Sequence, residues 1–262
     1  MDLKKICEEV IRIAKPVGNY IKEQRTHFDD ILIEKKGIRD FVTEVDKNSE
    51  RALVAQLQLL LPEAGFITEE KTVEQSDKEF NWIIDPLDGT MNYVHGIPVY
   101  AISIALQHLN EMVIGVVYEM GNDECFYTWK GAPSFCNDKP IRVSTAAGLN
   151  DALIATGFPY LRNEERTTAI AKTLKYFLDG GRDIRRLGTA ATDLCYVACG
   201  RLDAYYEGYL NIWDIAAGLL IVENAGGVVF NFEGNHQFNT GEIVACNPAL
   251  KSSMLTGVQF ME

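Results

Sequence analysis

The sequence predicts an α+β protein whose C-terminal half is α/β in rhythm. Three observations carry this. Amphipathic helical patterns open the chain, short strands joined by turn residues crowd its middle, and beyond about residue 145 strands and helices alternate. Such alternation layers helices on a sheet.

Leu3, Ile6, Val10, Ile13, Val17 and Ile21 recur every three or four residues, so residues 3–25 form a helix with one buried face. Leu53, Leu57, Leu60 and Leu61 predict a second helix from about Lys47 to Leu61, closed by Pro62. Strands are expected at 65–68, 82–85, 101–108, 113–119 and 125–129. The turn signals His108-Leu109-Asn110 and Gly121-Asn122-Asp123 favour antiparallel hairpins. The second half reads strand 152–156, helix 164–178, strand 183–186, helix 189–199, strand 204–207, helix 215–225, and strands 227–230 and 243–246. A soft boundary near residue 145 gives an N-terminal region 1–145 and a C-terminal region 146–262, with no Gly/Ser- or Pro-rich linker between them.

Bulk properties narrow the function. A net charge of −12 argues against nucleic acid, whose phosphates need clustered Lys and Arg. An acidic protein that handles phosphates needs metal cations to offset repulsion. No apolar run approaches the ~18 residues of a membrane span, and the first residues lack a signal-peptide pattern. Six scattered cysteines suit a reducing compartment, so a cytoplasmic protein is expected. Cys195 and Cys199, four apart, read as small buried residues, and the four histidines form no zinc pattern.

The stretch "NWIIDPLDGTMNYVHG" at 81–96 ends an apolar run on acids. Pro86 keeps Asp85 extended, and Gly89 lets backbone approach a ligand. A capped turn with solvated acids is the plain alternative. Asp85 and Asp88 stand three apart, which removes the covalent route of Asp-x-Asp-Gly-Thr phosphatases, whose acids are two apart. Glu69 and Glu70 end another apolar run; a regular strand would let only one of them bind an ion directly, and a solvated loop is again the alternative. Asp214 opens a helix apolar nearly all round, and Asp46 precedes the second helix, so both read as N-caps with a carboxylate to spare. Lys35-Lys36-Gly37 is a flexible basic segment able to close over an anion or simply to form a turn. Arg185-Arg186 reads as an exposed pair, a salt bridge, or a site for a second phosphate.

Together, "DFVTEVD" at 40–46, "EE" at 69–70, "WIIDPLDGTMNYVHG" at 82–96, "GTAA" at 188–191 and "WDIAAGLLIVENAGG" at 213–227 resemble the inositol monophosphatase family of Mg²⁺-dependent phosphatases. The resemblance spans most of the chain and implies a layered αβαβα sandwich of the sugar-phosphatase type. It implies one Mg²⁺ on Glu69, Asp85 and the Leu87 carbonyl, a second on Asp85, Asp88 and Asp214, and a weaker third near Glu69. It makes Glu70, and Thr90 paired with Asp46, the groups that orient and deprotonate water, and puts Lys35 in a mobile loop. Asp88, Gly89, Thr90, Gly188, Thr189, Ala190, Glu207 and Asp214 would meet the substrate. The implied partner is a small phosphorylated metabolite, with inositol monophosphate preferred, and the implied assembly is a homodimer. One departure is Thr68, where many family members have Gly before the paired Glu. Phosphatases for fructose-1,6-bisphosphate, NADP and 3′-phosphoadenosine nucleotides share the motif, and a non-catalytic metal- or phosphate-binding module is the reading outside enzymes.

Overall fold

The computed structural model describes residues 1–26, 33–35, 41–159 and 163–261. Helix α1 (Leu3–Thr26) buries Val10, Val17 and Ile21 of its expected stripe. Strands β1 (Ile33–Lys35) and β2 (Phe41–Thr43) form an antiparallel ribbon where the sequence alone suggests a flexible segment. Lys35 lies on β1, but its side chain and Lys36-Gly37 fall outside the described residues.

Helix α2 (Glu44–Leu60) begins three residues before the expected Lys47. Val45 extends its buried face, and Glu44 and Asp46 suit the positive end of the helix dipole. Asp46 therefore lies inside the first turn and is not the N-cap. β3 (Gly65–Thr68), β4 (Phe80–Asp88), the short helix α3 (Thr90–His95), β5 (Ala101–His108), β6 (Glu111–Glu119) and β7 (Glu124–Trp129) follow, then β8 (Phe135–Cys136) and β9 (Lys139–Pro140), which no periodicity announced. Strands β3 to β9 form one seven-stranded sheet in chain order. Only the β3–β4 pair is parallel; the expected hairpins are antiparallel.

The second half contains β10 (Leu153–Thr156), α4 (Glu164–Gly180), β11 (Asp183–Arg185), α5 (Ala190–Ala198), β12 (Ala204–Glu207), α6 (Ile212–Asn224), β13 (Val228–Phe230), β14 (Ile243–Cys246) and α7 (Lys251–Val258). Its five-stranded mixed sheet has the order β11-β10-β12-β14-β13. Helices α1 and α2 pack on one face of the larger sheet, α5 and α6 fill the space between sheets, and α4 and α7 cover the far side. The result is the αβαβα order.

Strand alternation builds the two inner cores. On β4, Trp82 and Ile84 enter the core beneath α1 and α2, while Ile83 faces α5 and α6. Helix α6 lies between two sheets, which is why every residue from Ile215 to Val222 is buried. All six cysteines are free; Cys195 is buried and Cys199 partly so. Among the described residues, no helix is long and apolar enough to cross a membrane.

Candidate metal and phosphate site

Asp85 and Asp88 would point to opposite faces of a regular strand, since their offset is odd. A bulge prevents this. Asp85 pairs with Ser103 and Asp88 with Ala101, so β4 spends one residue more than β5 between the two pairs. Pro86 offers no amide there, and the Asp85 carboxylate accepts the Leu87 amide at 2.9 Å. Gly89 (φ 90°) then turns the chain into α3, where the Val99 carbonyl and Thr189 crowd the place of a side chain.

Two helix starts from the other half complete the floor. Thr189 caps α5, accepting from the Thr192 amide, and its hydroxyl donates to Asp88 Oδ2 at 2.5 Å. The Ala191 amide donates to the same oxygen at 2.8 Å. Asp214 is not the N-cap of α6. Asn211 holds that place, and Asp214, in the first turn, accepts the Asn211 amide at 2.6 Å. Asn92 on α3 donates to the Leu187 carbonyl at 2.8 Å and ties the two halves beside the site.

A cavity of about 440 Å³ opens over this floor. Its wall includes Glu69, Asp85, Leu87, Asp88, Gly89, Thr90, Gly188, Thr189, Ala190, Glu207 and Asp214, bringing most of the expected residues together. Glu70 and Asp46 do not line it. Asp46 is buried behind the wall and acts on Glu69 through its charge. The Thr90 hydroxyl donates to the Leu87 carbonyl at 3.0 Å.

Four carboxyls near one another in a desolvated pocket hold on to protons. Burial pushes Glu69 well above the carboxylate range, Asp214 adds to this, and a hydrogen bond with Asp85 opposes it. Asp85 is raised by burial, then by Glu69 and Asp88. Burial lifts Asp88 to about 6 against the pull of Thr189, the Ala191 amide and Arg186. Asp214 reaches about 8 through burial and the charge of Asp88. Among the described residues no three acidic, histidine or cysteine side chains stand in ion-coordinating geometry. The donor set still fits a hard divalent cation in kind, because every donor is oxygen and a positive charge would relieve the repulsion that raises Glu69 and Asp85.

The rim holds what sequence reasoning left open or missed. Arg185 pairs with Asp183 at 2.5 Å on the surface, whereas Arg186 turns into the cavity. Arg166 lies over the Tyr209 ring, 4.3 Å from its centroid, at the same cavity. Glu207 accepts the Tyr205 hydroxyl at 2.5 Å, and burial lifts its carboxyl to about 7. Gly157 makes room for it: a Cβ there would lie 1.8 Å from Glu207 Oε2. Only contact across the sheet reveals that dependence, since 50 residues separate the two.

The inositol monophosphatase family model matches residues 2–260. The Nus factor SuhB of Escherichia coli (strain K12) is 39% identical over 251 residues, covering 95% of this chain and 94% of that protein. The inositol-1-monophosphatase of Mesorhizobium japonicum is 36% identical over 252 residues, with the same coverage of 95% and 94%. The solved structure of the Thermotoga maritima IMPase superposes with a TM-score of 0.87 at 31% identity, covering 98% of each chain. Bulged acid-bearing strand, capped helix starts and whole-chain similarity agree: the chain belongs to the inositol monophosphatase family.

Proposed function

We propose that this protein is a Mg²⁺-dependent phosphomonoesterase acting on inositol monophosphate or a similar small polyol phosphate. The observation that carries the reading is the gathering of Glu69, Asp85, Asp88 and Asp214 on one cavity that Glu207 also lines. In this reading Glu69, Asp85 and the Leu87 carbonyl would hold one Mg²⁺, Asp85, Asp88 and Asp214 would hold a second, and a weaker third would attach near Glu69. Bound Mg²⁺ neutralises phosphoryl oxygens, acidifies a water and stabilises the leaving alkoxide.

The chain's own groups do the rest. Thr90 orients the attacking water, Glu70 takes its proton, and Asp46 lends the negative charge that keeps neighbouring carboxylates basic. The water oxygen bonds to phosphorus in line as the ester P–O bond breaks, and the departing alkoxide takes a proton from solvent. Gly89 and the Gly188–Ala190 turn bring backbone close to the substrate, and Glu207 accepts hydrogen bonds from ring hydroxyls. The protein works as a cytoplasmic homodimer in this reading.

The test is phosphate release from inositol monophosphate, fructose-1,6-bisphosphate, NADP and a 3′-phosphoadenosine nucleotide, with Mg²⁺ and with chelator. Release with Mg²⁺ and none in chelator is expected; full activity in chelator sinks the metal mechanism. The 39% identity to a protein named a Nus factor favours a second reading, a binding role that retains the acids. Mg²⁺ binding without release from any of these esters would favour it.

A further inference from the structure

Glu50 lies on α2 one turn beyond Asp46, fully buried, with Ser49, Leu53 and Leu57 on the same face. A carboxylate in such a place is costly unless hydrogen bonds satisfy it. Here four do, and all come from the segment that carries the paired glutamates. Glu50 Oε2 accepts the Glu70 amide at 2.8 Å. Glu50 Oε1 accepts the Thr72 amide at 2.7 Å, the Thr72 hydroxyl at 2.7 Å and the Thr68 hydroxyl at 3.0 Å.

These bonds bracket Glu69 and Glu70 on both sides. Between the two held amides Lys71 adopts φ 53°, a left-handed conformation that a non-glycine residue keeps only when its surroundings impose it. Before the pair, Gln75 Oε1 accepts the Thr68 amide at 2.7 Å and Gln75 Nε2 donates to the Thr68 hydroxyl at 3.1 Å, which aims that hydroxyl's own hydrogen at Glu50. A glycine at 68 would supply no such donor. The side chain at 68 is thus a working part of the clamp.

We propose that Glu50 is a positioning residue: its buried carboxylate sets where Glu69 and Glu70 stand and thereby sets the affinity of the site for Mg²⁺. This rests on the phosphatase reading above. Glu50 itself touches neither cavity nor substrate. Its influence travels through the Glu70 amide and the two threonines, so the effect belongs to metal affinity and turnover more than to substrate KM.

Glu50→Gln keeps the volume but presents an amide donor to donors, and Thr72→Val and Thr68→Val each remove one hydroxyl at constant shape. Mg²⁺ binding by titration calorimetry is measured on each folded variant, together with kcat, KM and the Mg²⁺ concentration for half-maximal phosphate release. For Glu50→Gln, Mg²⁺ affinity should fall at least about tenfold, with a lower kcat, a KM within about threefold, and partial recovery in excess Mg²⁺. The threonine variants should show the same pattern at about threefold each, and they carry the test if Glu50→Gln does not fold. Variants that are less heat-stable yet bind Mg²⁺ as tightly as the native protein overturn the inference and leave the phosphatase reading intact. A native protein that binds no Mg²⁺ overturns both. A native protein that binds Mg²⁺ but hydrolyses no ester overturns the phosphatase reading alone, since the calorimetric comparison still decides the role of Glu50.

Discussion

Replacing Glu207 with glutamine isolates one buried carboxyl and makes its environment measurable. Glu207 titrates near 4.5 when unfolded and near 7 in the folded protein, chiefly because burial penalises its charge. Between those values the folded state holds a proton that the unfolded state has released. The sign follows: this group's contribution to stability is whole below the unfolded value and is lost as pH rises through the folded one. At about 1.4 kcal/mol per tenfold, the full loss is about 3 kcal/mol, an upper figure because the side chain is only partly screened from water. Asp88 and Asp214 are also raised and act with the same sign, but they are present in both proteins and largely cancel in the difference. The assay is urea unfolding in chelator from about pH 5 to about pH 8. Glu207→Gln should gain on the native protein across that range, by about 2–3 kcal/mol in total. Curves that stay parallel within about 0.5 kcal/mol would refute the desolvated environment argued for Glu207.

Other perturbations test the remaining parts of the site. Asp85→Asn should be the most damaging single change, weakening Mg²⁺ binding by calorimetry as well as abolishing phosphate release, because Asp85 is the shared ligand in the proposed arrangement; unchanged Mg²⁺ binding would show that the bridging role is wrong. Thr90→Ala should leave Mg²⁺ affinity within about twofold and lower kcat, since the hydroxyl acts on water in the proposed mechanism. Gly157→Ala should displace the Glu207 carboxylate, costing about 1–3 kcal/mol in stability and raising KM for the polyol phosphate; an unchanged KM would mean that Glu207 does not meet the substrate. In a comparison of kcat/KM, inositol monophosphate should exceed fructose-1,6-bisphosphate and NADP in the native protein and lose part of that lead in Glu207→Gln; a tenfold native preference for either rival, about 1.4 kcal/mol, reassigns the substrate.

Much of this molecule is legible without coordinates, for a local reason. Apolar residues three and four apart announce α1 and α2, alternating apolar residues bounded by turn residues announce the central strands, and a helix apolar nearly all round announces the buried α6, because each pattern states which faces an element must bury. The acids of the site are legible too: an apolar run that ends on Asp85, or a buried helix that begins near Asp214, places charge where burial is costly unless something pairs with it. What tertiary structure alone decided is how those charges meet. The bulge at Pro86-Leu87 brings Asp85 and Asp88 to one side against the parity of the strand, and it exists only in register with β5. Thr189 and Ala191 hold Asp88 across about a hundred residues of chain. The Thr90 hydroxyl finds the Leu87 carbonyl across the turn, a pairing that only distances reveal. Glu50 among leucines looks like a misplaced charge until the amides of Glu70 and Thr72 are seen to fold over it. Periodicity records what each segment does with water; partners distant in sequence are selected by packing, and no local pattern contains them.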